Sequence, residues 1–276
     1  MSSDVKVSKT SPEPDGPSYA APALEKGLDI LELLCRSEGS LSQKDIALSL
    51  GRSVGELYRM INCLVDRGYL ANIDDKYMVS TKLFELAHAN PPTHRLLSEA
   101  FPIMQKLSSE LDQSCHLTVY NRGRQIVVSK VDSPGGMGFS VRIGSELDVL
   151  VSASGRVLLA FQDRDARRLR IAEAVARRPE QADPQIGVIL DTIEARGFES
   201  IPSVQVRGLY AVSYPVLDRH GHAIAALTVP YAERIDLVHR TPIAMVEALL
   251  GSAAHALTAR VGGVAPGSRA KLLSGS

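Results

Sequence analysis

Two short stretches of this sequence carry side chains whose types and spacing can bind something. The first is "GRSVGELYRM", Gly51 to Met60. Arg52 and Ser53 stand at the entrance of a helical pattern, and Tyr58 and Arg59 follow on the face away from its apolar stripe. An arginine there can fork onto guanine or clamp a phosphate; a tyrosine can stack beside the backbone or donate to a phosphate. Arg52 and Ser53 are placed to hold phosphates beside the exposed amides of the helix start. Asn62 lies too far along to reach a base. Glu56 has two readings. It can accept from a cytosine amino group, or it can close a capping box by reaching back to the Ser53 amide. Capping is favoured because a bare carboxylate repels phosphate, but one role does not exclude the other. Gly55 costs about 1 kcal/mol in a helix interior relative to Ala. In a first turn it costs less and permits close approach of a sugar-phosphate.

The second stretch is "LVSASGRVLL", Leu150 to Leu159. Ser152, Ala153, Ser154 and Gly155 open a helix with small residues, whose amides can hold a carboxylate. They equally suit a tight strand-to-helix turn. Nearby in kind, His116 and Thr118 alternate on one face of a strand and can line a cavity, although a lone strand histidine is more often a core residue. Catalysis finds no such support. Ser152 and Ser154 lack the Gly-x-Ser-x-Gly elbow, and neither Cys115-His116 nor His220 with His222 has zinc spacing. No catalytic residue, metal or cofactor is expected.

The elements that must position these residues follow from periodicity. Leu24, Leu28, Leu31 and Leu34 recur at helical spacing, widened by Ile30 and Leu33 and ended by Gly39. Ser42 caps a second helix, with Asp45 in its first turn, Ile46, Ala47 and Leu50 inward, and Gly51 at the left-handed exit. Leu57, Met60, Ile61 and Leu64 bury one face of the third. "GYLANIDDKYMVS" then reads as a hairpin turning at Asp74-Asp75. Three helices and a hairpin make a winged helix-turn-helix, in which the second helix crosses the DNA backbone. Ser42, Gln43 and Lys44 begin that helix, and Lys76 and Tyr77 lie on the wing. A linker helix, "TKLFELAHANPP", is stopped by Pro91-Pro92.

Beyond Thr93 come a helix opened or kinked by Pro102, then a hairpin turning at Asn121 to Gly123. A strand, a Gly144 turn and a helix from near Ser154 follow, then two further helices and a second hairpin turning at Arg219 to His222. A long helix from Thr241 to Val261 closes the chain's second half. Helices around an antiparallel sheet make it α+β. The expected divisions are a disordered arm over 1–19, a winged helix-turn-helix DNA-binding domain over 20–82, a linker helix over 83–92, an α+β domain over 93–262, which the family resemblance below makes an effector-binding domain, and a disordered tail over 263–276.

Acidic and basic residues balance at 31 each in 276 residues, which excludes a generally cationic nucleic-acid coat but not a local reading face. From Ala20 to Lys82 eight basic residues meet nine acidic ones. Useful DNA affinity therefore calls for a dimer presenting two heads to a palindromic or near-palindromic operator. Cys35, Cys63 and Cys115 fit a reducing compartment. With no export signal and no membrane-length apolar run, the expected location is the cytoplasm.

In order and spacing, "ALEKGLDILELL", "LSQKDIALSLGRSVGELYRMINCLVDRGYL", "SASGRVLLA", "ARGFES" and "GLYAVSYPVLDRHGHAIAALTVP" resemble the IclR family of bacterial transcription regulators over about residues 20–262. The resemblance implies a winged helix-turn-helix joined by a linker helix to a GAF-like effector domain, assembled as a homodimer or dimer of dimers. It implies a repressor of a catabolic operon that binds double-stranded operator DNA and responds to a small organic or aromatic acid. Matched to the family's pocket, Ala153 and Ser154 would supply backbone contacts, Ala211 and Thr228 would face them, and Met137, Phe139 and Leu150 would supply apolar wall. Ala211 and Pro230 make that pocket less polar than one for a small dicarboxylate, which favours an aromatic acid. The chain departs from the family at Gly55-Glu56, where Ser-Thr is usual, at Asp148, where Pro is common, and at Val204, where acidic residues are common. Two other readings compete: a ligand-sensing dimer whose winged helix contacts protein, and a small-molecule hydrolase.

Overall fold

A computed structural model describes residues 21–135, 138–233 and 241–264. The expected arm, most of the expected tail and Met137 lie outside the described residues. The chain divides into two compact units, with the break between Asn90 and Pro91.

In the first unit, α1 (Pro22–Arg36), α2 (Gln43–Ser49) and α3 (Val54–Asp66) surround one small core. Ile30, Leu34, Ile46, Leu57, Ile61, Leu70 and Tyr77 fill it. The hairpin β2 (Leu70–Ile73) and β3 (Lys76–Val79) turns through Asp74 and Asp75, both at positive φ, as a tight two-residue hairpin requires. A two-residue strand, β1 (Leu41–Ser42), pairs with β3, so the wing is a three-stranded sheet in the order β1-β3-β2 rather than a bare hairpin. The unit ends in α4 (Lys82–Ala89).

Two expectations for α1 fail. Leu24 and Leu28 are exposed, and of the expected stripe the helix buries Ile30 and Leu34, with Gly27 beside them. The helix also stops before Gly39. Ser37 turns extended, its amide bonded to the Leu34 carbonyl and its hydroxyl donating to that of Leu33, so two of the last four carbonyls are satisfied without a glycine.

The second unit is a six-stranded antiparallel sheet between two helical layers. Its strands are β4 (Cys115–Asn121), β5 (Arg124–Val131), β6 (Glu146–Leu147), β7 (Glu199–Pro202), β8 (Leu209–Leu217) and β9 (Ala223–Ala232), in the order β6-β5-β4-β9-β8-β7. The long helices α5 (Pro91–Leu111) and α9 (Ile243–Arg260) cover one face through Met104, Leu117, Val212, Leu227 and Leu250. The opposite face carries α6 (Ala153–Ala160), α7 (Arg164–Arg177) and α8 (Ile186–Arg196). Strand period decides which residue faces which layer: Leu117, Val212 and Leu227 look toward α5 and α9, while His116, Ala211 and Thr228 look the other way.

Pro102 neither opens nor interrupts α5, which starts eleven residues earlier at Pro91. Pro91 thus ends one helix and begins the next, a position where its missing N–H is no loss. The strand expected before Gly144 is not formed. Residues 138–143 have no ladder, and pairing to β5 resumes only at the turn, where the Gly144 amide donates to the Val127 carbonyl and Ser145 accepts from Val127.

Candidate functional site

In the first unit, helix starts decide the geometry. Ser42 caps α2, its hydroxyl accepting from the Asp45 amide while the Asp45 carboxylate accepts from the Ser42 amide. Hydrogen bonds from Ser42 lower the Asp45 pKa. At α3 the same box recurs: the Ser53 amide donates to Glu56 Oε2 at 3.1 Å and the Glu56 amide to Ser53 Oγ at 3.3 Å. The other Glu56 oxygen accepts from Lys26 of α1 at 3.0 Å. These contacts, the Ser53 amide first and then Lys26, hold the Glu56 carboxyl down at about 2.

Of the residues singled out for DNA, Lys44, Arg52, Ser53, Gly55, Glu56, Tyr58, Arg59 and Lys76 are exposed. Arg52 has a partner already, Asp29 at 3.5 Å. Gln43 is turned inward and donates to the Tyr77 hydroxyl at 2.8 Å, tying α2 to the wing. Tyr77, on the wing, is buried: its ring belongs to the core and its hydroxyl to Gln43 and Asn72. Arg59 reaches beside an apolar groove of about 830 Å³ lined by Leu24, Leu28, Leu31, Met60, Cys63 and Leu83. No sequence signal announced that groove beyond the width of the α1 stripe.

In the second unit a cavity of about 60 Å³ opens between the start of α6, the sheet face beside it and residues 203–206. Two rows of side chains crossing the strands meet there. Ile201, Ala211 and Pro230 are partners across β7, β8 and β9, and Ser213, Thr228 and His116 across β8, β9 and β4. Ser152 is the α6 N-cap, and its hydroxyl is fully used: it accepts from the Gly155 amide and from Gln125 Nε2 and donates to the Asp148 carbonyl. The next two amides, of Ala153 and Ser154, have no partner within the helix and border the cavity. Gly155 is required here, because a Cβ would run into the Val149 backbone. Asp148 accepts from the amides of Leu150 and Val151, which explains a carboxylate in that loop.

His116, Phe139, Ala153, Ser154, Ala211 and Thr228 line the cavity as expected. Thr118 and Leu150 do not border it. Thr118 pairs with Ala226 and Val127, where it is wholly buried, and Leu150 packs among Val157, Leu158 and Ala226. The sequence reading missed the wall made by Val141, Leu147, Ile201, Val206 and Leu209; Val204 was marked as a departure and Pro230 as a less polar position. No described lining residue is Asp, Glu, Lys or Arg. Burial pushes the His116 imidazole down to about 4, so it is neutral at pH 7. Among the described residues there is no cluster able to hold a metal ion and no helix long and apolar enough to cross a membrane.

The arrangement is one head with an exposed helix start and one unit with an uncharged pocket bordered by another. Residues 92–258 match the family described as "Bacterial transcriptional regulator IclR C-terminal", and residues 23–73 match the IclR helix-turn-helix domain. The chain belongs to the IclR family. It is a transcriptional regulator, and the family's regulators are not enzymes. The chain is 28% identical to the HTH-type transcriptional regulator KdgR of Escherichia coli over 186 residues, 65% of this chain and 70% of that one. The fold is similar to Pseudomonas aeruginosa HmgR (TM-score 0.66, 26% identity, 87% of this chain and 99% of that one). It is also similar to an IclR homologue from Microbacterium hydrocarbonoxydans complexed with 4-hydroxybenzoate (TM-score 0.70, 20% identity, 87% and 98%).

Proposed function

We propose that this IclR-family regulator binds a palindromic operator as a homodimer or dimer of dimers in the cytoplasm and represses a catabolic operon until a small aromatic monocarboxylic acid enters the pocket. The observation that carries the ligand reading is the lining. Polar groups gather at the α6 start, on the Thr228 side and at Ser203, Gln205 and Tyr210, the remainder is apolar, and no described Asp, Glu, Lys or Arg is present to meet a second carboxylate. A carboxylate at the amides of Ala153 and Ser154, with the ring against Phe139, Ile201 and Val204, uses the helix start and the apolar wall. The complex of an IclR homologue with 4-hydroxybenzoate supports the same class. On the head, Tyr58 and Arg59 are the reading residues, with Lys44 and Lys76 on phosphates. The groove beside α1 is an apolar surface suited to a second copy, which also supplies the second head. Ligand binding shifts the dimer between arrangements with different head spacing, and α4 transmits the change.

The test is anisotropy on DNA from upstream of the chain's own gene, with benzoate, 4-hydroxybenzoate and succinate as trial effectors. Sequence-selective, salt-dependent binding that an aromatic acid alters and succinate does not is the expected result. Arg59→Ala should weaken it by about tenfold to a hundredfold, the worth of a base contact, with an unchanged melt. A well-folded dimer that binds no DNA would instead favour a winged helix that contacts protein.

A further inference from the structure

The first turn of α3 is held from outside by two ion pairs of opposite polarity. Lys26 and Asp29 stand three residues apart on α1, and Arg52 and Glu56 flank the Ser53 cap. Lys26 reaches Glu56 at 3.0 Å and Asp29 reaches Arg52 at 3.5 Å. Their exposures differ in a telling way: the Lys26 side chain is 20% exposed, while the other three lie between 35% and 47%. Lys26 is mostly covered and its ammonium is spent on Glu56. Exposed pairs of this kind add little to stability, from nothing to about 1 kcal/mol, so stability alone does not account for two of them at one helix start.

We propose that Lys26, which does not read DNA itself, is a positioning residue for the operator-binding face: it neutralises and orients Glu56, while Asp29 holds Arg52 in reserve until a phosphate displaces it. This rests on the DNA-binding reading above. Glu56 is the third residue of a helix whose first turns must approach a polyanion. Its side-chain oxygen closes the cap, because it accepts from the Ser53 amide and hydroxyl. The helix thus needs an acceptor where DNA disfavours a negative charge, and a cation on the neighbouring helix resolves the conflict. The low pKa of Glu56 means the charge cannot be removed by protonation at working pH. Arg52 is the converse case. A guanidinium that would suit a phosphate is paired with a half-exposed carboxylate, a contact that a phosphate can replace at small cost.

Glutamine in place of Glu56 separates charge from capping, since it can still close the box. A duplex selected from a random pool by the full-length wild-type chain serves as probe, with affinity measured by anisotropy at two salt concentrations and folding checked by thermal melts. Lys26→Ala should weaken binding about fivefold per head, the worth of one such pair, with little change in melting. Adding Glu56→Gln to Lys26→Ala should restore affinity to within about twofold of Glu56→Gln alone, and Lys26→Arg should bind like wild type. Asp29→Asn should tighten binding about threefold by freeing Arg52 and removing a negative charge. If Lys26→Ala/Glu56→Gln is as weak as Lys26→Ala, Lys26 contacts phosphate itself and the proposal falls. It falls also if Lys26→Ala binds normally, or if Asp29→Asn weakens binding. A wild-type chain that selects no duplex overturns the DNA-binding reading together with this one.

Discussion

Helices α3 and α6 both begin at a serine cap, and their first turns have little else in common. At α3 the cap is closed by Glu56, three residues on, and a Cβ on Gly55 would meet nothing within 4 Å. At α6 the cap serine is held by Gln125 of β5 as well as by the nearby Asp148 carbonyl, and a Cβ on Gly155 would run into the Val149 backbone. One cap closes within four residues, is braced by Lys26 from α1 and stays open to a large partner. The other adds a side chain from a distant strand, Gln125, to its local contacts and closes around a small space. An interface that must fit a groove needs an accessible face, whereas a pocket that selects a small molecule needs walls that do not give.

The largest test of that contrast is a pair of identical substitutions. Gly155→Ala should destabilise the second unit by about 3 kcal/mol, because a close-packed backbone cannot move aside cheaply. Gly55→Ala should instead stabilise the head by up to about 1 kcal/mol through helix propensity. Urea unfolding, with hydrogen exchange to assign the change to a unit, distinguishes them. Equal effects would end the comparison.

Acid separates the two regions next. His116 is neutral when folded and has a pKa pushed from 6.5 down to about 4 by burial. A depressed histidine pKa means that the unfolded chain takes up the proton first, so stability is lost as pH falls below about 6.5 and the loss levels off near 4. Between pH 7 and 5 the second unit should lose about 2 kcal/mol, and His116→Gln should remove most of that slope. Glu56, lowered from 4.5 to about 2, has the opposite chemistry. Its contribution is intact above about 4.5 and fades only as pH falls toward 2. Exchange of β4 amides should therefore quicken between pH 6.5 and 5, after correction for intrinsic rates, while that of α3 amides should not.

The caps give a smaller difference. Ser53→Ala should cost about 1 kcal/mol, the usual worth of an N-cap. Ser152→Ala should cost about 2 kcal/mol, since it also leaves Gln125 Nε2 without one of its acceptors in a buried site. Ser152→Ala should weaken aromatic-acid binding as well, because the α6 start loses its anchor; titration calorimetry reads that directly.

The same contrast explains what could be read in advance. Ser42 with Asp45 and Ser53 with Glu56 are legible because both partners lie within four residues, and the turns at Asp74-Asp75 and Gly123 because one or two residues decide them. The face shared by His116, Ala211 and Thr228 follows from strand alternation and the family pattern. The depth of a residue along that face does not. Thr118 sits two residues from His116 with the same orientation, yet the register places it opposite Ala226, away from the cavity. Ile201 was invisible for the same reason: it reaches the cavity only through its pairing with Ala211. On α1, leucines recur on more than one side, and periodicity cannot say which side the fold covers. Leu24 and Leu28 border the open groove instead of filling the core.

Thr118 supplies the finest test, because it opposes polarity to packing at a fixed shape. Its hydroxyl is buried without a hydrogen-bond partner, and Gln125 Oε1 is in the same condition. By register the two residues lie on one face of adjacent strands, since Thr118 pairs with Val127 and Gln125 lies two positions further along β5. A buried hydroxyl that makes no bond costs the desolvation of that group, so replacing it with a methyl of the same size is nearly neutral or favourable. Thr118→Val should therefore raise stability by up to about 1 kcal/mol and leave aromatic-acid affinity within twofold, as expected for a residue that does not border the cavity. Weakened ligand binding in a stable Thr118→Val protein would move the floor of the pocket inward by one row, and the contrast between an open head and a closed pocket would then need redrawing at that row.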